Sequence, residues 1–249
     1  MRIIYGTLAM VMCILCGCAG SVGQGAGADA KALAKAKAHT DLGAVYFQQN
    51  KLEVALDEFM MAIQADPGYA QAYNGLGLVR AALGEDEQAE ANFKKAIQLQ
   101  PNSSEAHNNY GNFLCNKKRY DESILQFMDA VKNPLYSTPH LAYANAGICS
   151  ARKKDMPAAE TYLNKALQLN PLTHSAAYQL ADIQYARGDA KAAQKTLQNA
   201  LVASPGPEVL WLGIRIARAL GNKDDEASYA LQLRRQYPDS PQTRLLLGD

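Results

Sequence analysis

The chain has 249 residues, with 25 Lys or Arg against 24 Asp or Glu, and 20% of its residues are charged. This nearly neutral composition favours a folded protein over a disordered one. No basic stripe stands out from the mixture of charges, so nucleic acid is not an expected partner.

Residues 1–17 have the features of a signal peptide. Arg2 precedes an apolar run from Ile3 to Leu15, which is too short to span a bilayer comfortably. The run ends in Leu15-Cys16-Gly17-Cys18, which resembles the bacterial lipobox, where the last cysteine is lipidated and becomes the new N-terminus. We therefore expect lipidation at Cys18. The alternative is an ordinary secretory signal that is cleaved without lipidation.

Residues 18–34 would then form the lipidated cysteine and its linker. Gly, Ala and Ser dominate from Ala19 to Ala32, a composition typical of a flexible tether. The lipoprotein resemblance also bears on sorting, because an Asp in place of Ala19 would favour retention in the inner membrane of Gram-negative bacteria. We therefore expect a lipid anchor in the outer membrane, with the chain on its periplasmic face.

Residues 35–249 repeat one pattern of small and large residues about every 34 positions. It combines an aromatic residue, Leu-Gly, Tyr, Ala, Phe, Ala and a final Pro, as in the tetratricopeptide repeat. The small residues let two helices pack closely, and the proline ends the second helix. The pattern predicts an all-α fold, a tetratricopeptide-repeat solenoid of about six helical hairpins that forms a right-handed superhelix. The second copy carries Tyr73, Leu76, Gly77, Ala89, Phe93, Ala96 and Pro101.

The sixth copy departs furthest from this pattern. It keeps Trp211, Ala227 and Leu231, but Arg215 would stand at the glycine position. An atypical terminal copy is expected to close the exposed end of a solenoid. We expect the tail, Leu245–Leu247, to cover the apolar residues Val209, Leu212 and Ile216.

Segments of the third and fourth repeats resemble one particular family. They are Asn108–Cys115, the long junction Asn133–Pro139, and Asn145–Cys149. Together with the lipobox and six repeats, they resemble the type IV pilus biogenesis and stability lipoproteins, the PilF/PilW family. The resemblance implies a pilotin-like or assembly role, in which the lipoprotein helps the outer-membrane secretin reach the membrane and multimerise, or supports pilus stability. The expected partner is the secretin or another pilus-assembly protein.

A second interpretation belongs to a different class of function. Helical repeats and a lipobox are also compatible with a general periplasmic scaffold lipoprotein that serves outer-membrane protein or cell-wall machinery. No residue constellation suggests catalysis, so we expect neither an enzyme nor a cofactor or small-molecule substrate.

Three histidines recur at spacings of 33 and 34 residues, namely His107, His140 and His174. Such a series could suggest a metal site. Ligand nitrogens must lie within about 2.1 Å of one zinc ion, whereas packed helices lie roughly 8–10 Å apart. We therefore expect structural or capping roles for these histidines and no metal site.

The first helices of the repeats are expected to line a concave groove. On the repeat template, the groove-facing positions include Gln71, Asn74, Leu78, Ala81, Glu105, Asn108, Asn112 and Cys115. Packing does not require these positions, and side-chain amides can bond both the donors and the acceptors of a peptide main chain. We predict partner binding through Asn74, Asn108, Asn112 and Ile148, with an apolar strip at Leu141, Ala144 and Ile148. The alternative is that each is merely a solvated helix residue.

Cys115 and Cys149 are predicted to form a disulfide between the third and fourth repeats. After processing they are the only cysteines besides Cys18, and the periplasm is oxidising. Both lie late in the first helix of adjacent repeats, where stacked helices could bring them within bonding range. The alternative is a pair of buried thiols, which are common in helical cores.

Overall fold

A computed structural model describes residues 22–201 and 205–248, with side chains from residue 29 onward. The predicted signal peptide, residues 1–17, and the predicted lipidation site, Cys18, lie outside these residues. The described chain is helical without strands, and none of its helices is both long and apolar enough to cross a membrane. The helices are α1 (Val22–Gln48), α2 (Leu52–Ala65), α3 (Ala70–Leu83), α4 (Asp86–Leu99), α5 (Ser104–Asn116), α6 (Tyr120–Ala130), α7 (Pro139–Arg152), α8 (Met156–Leu169), α9 (His174–Ala186), α10 (Ala190–Leu197), α11 (Pro207–Leu220), α12 (Lys223–Gln236) and α13 (Pro241–Leu247).

Consecutive helices pair into six hairpins, from α1/α2 to α11/α12, and each hairpin packs on the next. The first helices also contact one another in succession, α1 with α3, α3 with α5, and so on to α11. They therefore form a continuous wall along one side of the repeats. The prediction of an all-α tetratricopeptide-repeat solenoid is confirmed.

In five of the six hairpins, a glycine on the first helix meets a large side chain on the second; in the fifth hairpin, Ala181 and Leu197 stand at these positions. A Cβ atom added at Gly77 would lie 2.8 Å from the Phe93 ring, and one at Gly111 would lie 2.7 Å from the Phe127 ring. Both phenylalanines are fully buried. A side chain larger than hydrogen would therefore force the two helices apart, which explains the glycine in the repeating pattern.

The sixth repeat has a register that the sequence analysis placed incorrectly. Gly213, and not Arg215, faces the second helix, since its added Cβ would lie 3.0 Å from the Tyr229 ring. Leu231 is 61% exposed, whereas Leu233 is buried. The spacing explains the error, because Gly213 follows its counterpart Ala181 by 32 residues rather than 34.

The C-terminal helix α13 caps the solenoid, but it covers other residues than expected. Leu246 packs against the cluster of Leu210, Ile214 and Leu233. Leu212 and Ile216 instead pack against residues of α9 and α10. The two-residue change of register moves these side chains onto the preceding repeat.

The prediction of a flexible linker over residues 18–34 was wrong for its described part. Helix α1 begins at Val22 and continues without a break to Gln48. From Ala26 to Ala38 every second residue is alanine, which has the highest helix propensity of any residue, although Gly23, Gly25 and Gly27 stand in the first turns. Since the later part of α1 packs against α2, the helix can extend from an existing folded turn without a new nucleation step.

A cluster of polar side chains connects the second and third repeats. Glu90 of α4 accepts hydrogen bonds from Arg119 at 2.7 Å and Tyr110 at 2.8 Å, and pairs with Lys94 at 2.7 Å. Partial burial raises the pKa of Glu90, but the hydrogen bonds from Arg119, Lys94 and Tyr110 outweigh it and lower the pKa to about 2. The cluster therefore favours the ionised carboxylate in the folded state.

This cluster predicts an acid-sensitive contribution to stability. Because the folded pKa of Glu90 lies below its ordinary value of 4.5, the contribution is complete above about pH 4.5 and is lost as the pH falls towards 2. Glu90→Gln should lower the free energy of unfolding by about 1–2 kcal/mol at pH 7, after allowance for solvent screening, and by much less at pH 2.5. Urea unfolding of the Glu90→Gln variant and the unsubstituted chain between pH 2.5 and pH 7 measures this difference in the free energy of unfolding.

Glu87→Gln, an exposed position on the same helix, is the matched control and should change stability little. An equal loss in the Glu90 variant at pH 7 and pH 2.5 would contradict the assignment.

Candidate functional site on the inner wall of first helices

The predicted binding residues all lie on the wall of first helices. Asn74 is on α3, Asn108 and Asn112 are on α5, and Ile148 is on α7. All four side chains are partly exposed. The wall therefore presents them to solvent along three consecutive repeats.

Two of these asparagines also connect neighbouring repeats. The Nδ2 group of Asn109 donates to Oδ1 of Asn74 at 3.2 Å, and Nδ2 of Asn145 donates to Oδ1 of Asn108 at 3.0 Å. Asn74 and Asn108 therefore also have a structural contact that the sequence analysis did not assign to them. Both bonds use the acceptor oxygens, so the NH2 groups of Asn74 and Asn108 can still donate to a bound main chain.

The first of two hollows on the wall has a volume of about 510 Å³ and contains Asn74. Phe47 and Leu78 provide apolar surface, and Gln71 and Glu105 provide polar groups. Thr40 also lines it, and its hydroxyl oxygen is buried without a hydrogen-bond partner among the described residues. An unpaired buried hydroxyl is costly, so a ligand that bonds it would gain that energy.

The second hollow, also about 510 Å³, contains Ile148. Ile148 and Ala151 of α7 face Ile183 of α9, and charged side chains surround them. Two of these charges already pair, since Arg187 contacts Glu160 at 2.7 Å. This hollow therefore suits an apolar side chain more than a strongly charged one.

The structure does not bring the four predicted residues into one site. Asn74 lines the first hollow and Ile148 lines the second, while α5, with Asn108 and Asn112, lies between the helices that carry them. The predicted apolar strip is also reduced, because Ala144 is 1% exposed and packs in the core. A partner must therefore span several repeats to reach all of these positions.

Cys115 and Cys149 lie together between α5 and α7, and the structure pairs them as a disulfide. Their Cα atoms are 5.9 Å apart, within the range that a disulfide requires. Glycines at the crossings of these two repeats, Gly111 and Gly147, are 36 residues apart. Cys115 stands four residues after its glycine and Cys149 two residues after its own, so the bond joins different positions of the two helices.

The recurring histidines have separate partners. His107 lies 2.8 Å from Oε1 of Gln126 and 2.9 Å from the carbonyl oxygen of Pro101, while His140 lies 3.3 Å from the side chain of Asn170. Within the described ranges, no group of three or more His, Cys, Asp or Glu side chains could hold a metal ion. The contacts of His107 and His140 are those of structural residues.

Comparison with known proteins agrees with this repeat architecture. Family models described as tetratricopeptide or TPR repeats match residues 43–84, 70–103, 92–124, 141–171 and 178–241. The type IV pilus assembly protein PilF of Pseudomonas aeruginosa is 32% identical over 206 residues, which cover 82% of this chain and 81% of PilF. The chain belongs to the PilF/PilW family of type IV pilus tetratricopeptide-repeat proteins.

Solved structures of the PilF/PilW family show the same fold. The crystal structure of PilW, described as a widely conserved type IV pilus biogenesis factor, matches with a TM-score of 0.75 and 30% identity, covering 85% of this chain and 98% of PilW. A structure of Pseudomonas aeruginosa PilF matches with a TM-score of 0.77 and 30% identity, covering 89% and 99%. The solenoid is therefore shared along nearly the full length of these relatives.

The cysteine pair of this PilF/PilW member predicts a redox-dependent stability. Unfolded but unreduced protein that has been processed and lipidated at Cys18, as the sequence predicts, should give no free thiol from Cys115 and Cys149. Reduction should lower the free energy of unfolding by about 3–4 kcal/mol, the chain-entropy expectation for a loop of this length. The double variant Cys115→Ser/Cys149→Ser should unfold identically with and without reductant. Two free thiols per unreduced chain would contradict the bond.

Proposed function

We propose that this chain is a lipid-anchored assembly factor of the type IV pilus on the periplasmic face of the outer membrane. It promotes localisation and multimerisation of the pilus secretin, or stability of the pilus, by binding a segment of a pilus-assembly protein. The observation that carries the proposal is the 32% identity to the assembly protein PilF over 82% of the chain. The lipobox-like sequence before Cys18 supports the anchor.

The inner wall of first helices offers the means of binding. The NH2 groups of Asn74 and Asn108 can donate to main-chain carbonyl groups, as can Asn112 one turn further along α5. The two hollows, at Phe47 and Leu78 and at Ile148 and Ile183, can receive apolar side chains. A segment in this groove would thus be held by its backbone and selected by its apolar residues.

Lipidation at Cys18 would attach the repeats to the membrane through the start of α1. Helix α1 begins at Val22 and only its later part packs against α2, so a helical segment separates the proposed anchor from the packed repeats. Stable membrane attachment takes more than one acyl chain, since each buried methylene contributes about 0.8 kcal/mol. A multiply acylated N-terminal cysteine meets that requirement.

The anchor predicts the behaviour of a single variant. Cys18→Ser should leave the protein unprocessed or free of the outer membrane, because the lipid supplies the attachment. Fractionation of the envelope in high salt, with detection of the chain in each fraction, measures this. A Cys18→Ser protein that still co-fractionates with the outer membrane would show that something other than the lipid holds it.

A pair of double variants tests the groove. Asn74→Ala/Asn108→Ala and Asn109→Ala/Asn145→Ala break the same two hydrogen bonds between repeats. Both should therefore lower the free energy of unfolding by a similar amount, about 1–3 kcal/mol. Only the first pair removes the proposed partner contacts, so only that pair should reduce secretin multimers and piliation.

Secretin multimers on semi-denaturing gels and counts of surface pili provide the readout. Equal defects in the two double variants would assign the effect to stability. Normal multimers and pili with Asn74→Ala/Asn108→Ala would place the binding surface outside this wall.

A further inference from the structure

The stacking face of α1, formed by Ala38, Leu42 and Val45, is exposed, whereas the equivalent residues of the second to fifth repeats are buried. Leu42 is 40% exposed and Val45 is 46% exposed, and Ala38 is exposed as well. Their counterparts in the second to fifth repeats are at most 8% exposed; they are Ala72, Leu76, Val79, Ala106, Tyr110, Phe113, Ala142, Ala146, Cys149, Ala176, Leu180 and Ile183. In those repeats the preceding hairpin covers the face.

The two ends of the solenoid therefore differ. At the C-terminal end, α13 packs against α11 and α12 and occupies the place where a further first helix would stack. At the N-terminal end the stacking face of α1 stays exposed in the described structure. A second copy thus could not continue the stack from the capped end of one molecule onto α1 of the next.

The exposed face of α1 is instead complementary to itself. Its residues recur with the heptad spacing of a helix-to-helix seam. They are Lys31, Ala34, Lys35, Ala38, Asp41, Leu42 and Val45, all of them exposed. The seam contains positively and negatively charged residues. Its lysines, Lys31 and Lys35, lie on the N-terminal side of Ala38, and Asp41 lies on the C-terminal side.

We propose that α1 pairs with α1 of a second copy in antiparallel orientation, with Ala38 on the two-fold axis. In that register Ala34 faces Leu42 of the other copy, so a small residue receives a large one. Lys35 faces Asp41, and the symmetry forms this ion pair twice. Val45 is covered by the aliphatic part of Lys31, whose ammonium group stays in water.

The pairing extends an interface that the fold already uses. Ala38, Leu42 and Val45 are the same kinds of residue as their buried counterparts, and a partner helix against them would remove apolar surface from water as the hairpins do elsewhere. Asp41 also lies 3.5 Å from Lys37 on its own helix, but this pair is exposed on both sides and offers little competition. Isologous contact of one face with itself gives a closed dimer.

Cysteine cross-linking tests the position of the axis. In bacterial envelopes that contain the full-length chain, the Ala38→Cys variant should form a covalent dimer of twice the chain mass on mild oxidation. Ala44→Cys is the matched control, because it lies on the same helix and is exposed but points away from the seam. Equal cross-linking of the two variants, no cross-linking of Ala38→Cys, or a cross-link to a different protein would overturn the assignment of a second copy.

Charge exchange tests the register in the purified full-length chain in detergent. Lys35→Glu or Asp41→Lys alone places like charges together twice per dimer, and each should weaken dimerisation about fivefold or more by analytical ultracentrifugation. The double variant restores opposite charges and should return to within about twofold of the unsubstituted chain. A double variant as weak as the single ones, or a chain that is monomeric throughout, would refute the pairing. Because both positions are exposed, circular dichroism should be unchanged.

Discussion

The close contact between a small residue of the first helix, a glycine in five of the six hairpins, and a large side chain of the second determines the shape of the hairpins. At Gly77 with Phe93, and at Gly111 with Phe127, the space holds a ring but no additional Cβ. Because this crossing fixes the distance between the paired helices, it also decides which residues of the first helix face outward. The wall that we propose as the binding surface is therefore a consequence of the same contact that builds the core.

Side-chain hydrogen bonds and ion pairs between repeats are most numerous from the second to the fourth hairpin of the described structure. The Glu90 cluster joins the second repeat to the third, and the bonds of Asn74 and Asn108 join the second to the third and the third to the fourth. The pair of Cys115 and Cys149 adds a covalent connection at the long junction. In a solenoid, stability and curvature depend on interfaces between neighbours, so these contacts hold the groove in one form before a partner binds, which lowers the ordering cost of binding.

The sequence was sufficient for the fold because its signals are local and repeated. Gly77, Phe93 and Pro101 each have one structural role at a fixed position in the repeat. The recurrence of these residue types about every 34 residues specifies how the hairpins stack. The register of the sixth repeat was predicted incorrectly because Gly213 follows its counterpart in the fifth repeat by fewer than 34 residues. The contact of Gly213 with Tyr229 reveals the register. The helical start of α1 was missed because composition was given more weight than the helix propensity of alanine.

The proposed binding surface was harder to predict than the fold. Position on the template placed Asn74 and Ile148 on the wall of first helices, as the structure does, but not in separate hollows, because the hollows depend on side chains from adjacent repeats. The partners Asn109 and Asn145 also stand outside the template's groove positions. Their distances of 35 and 37 residues from Asn74 and Asn108 are not the repeat length, and the orientation of an amide follows from tertiary packing.

The difference between the two ends of the solenoid follows from the same nearest-neighbour logic. A terminal repeat buries its stacking face only if something follows it, and α13 does this for the C-terminal end. Leu42 and Val45 keep the apolar character of their buried counterparts although the described chain does not cover them. Polar residues would be expected at these two positions if the face were exposed to solvent and had no binding role. Their retention on the helix next to the proposed membrane anchor is therefore more consistent with an interface than with a free end.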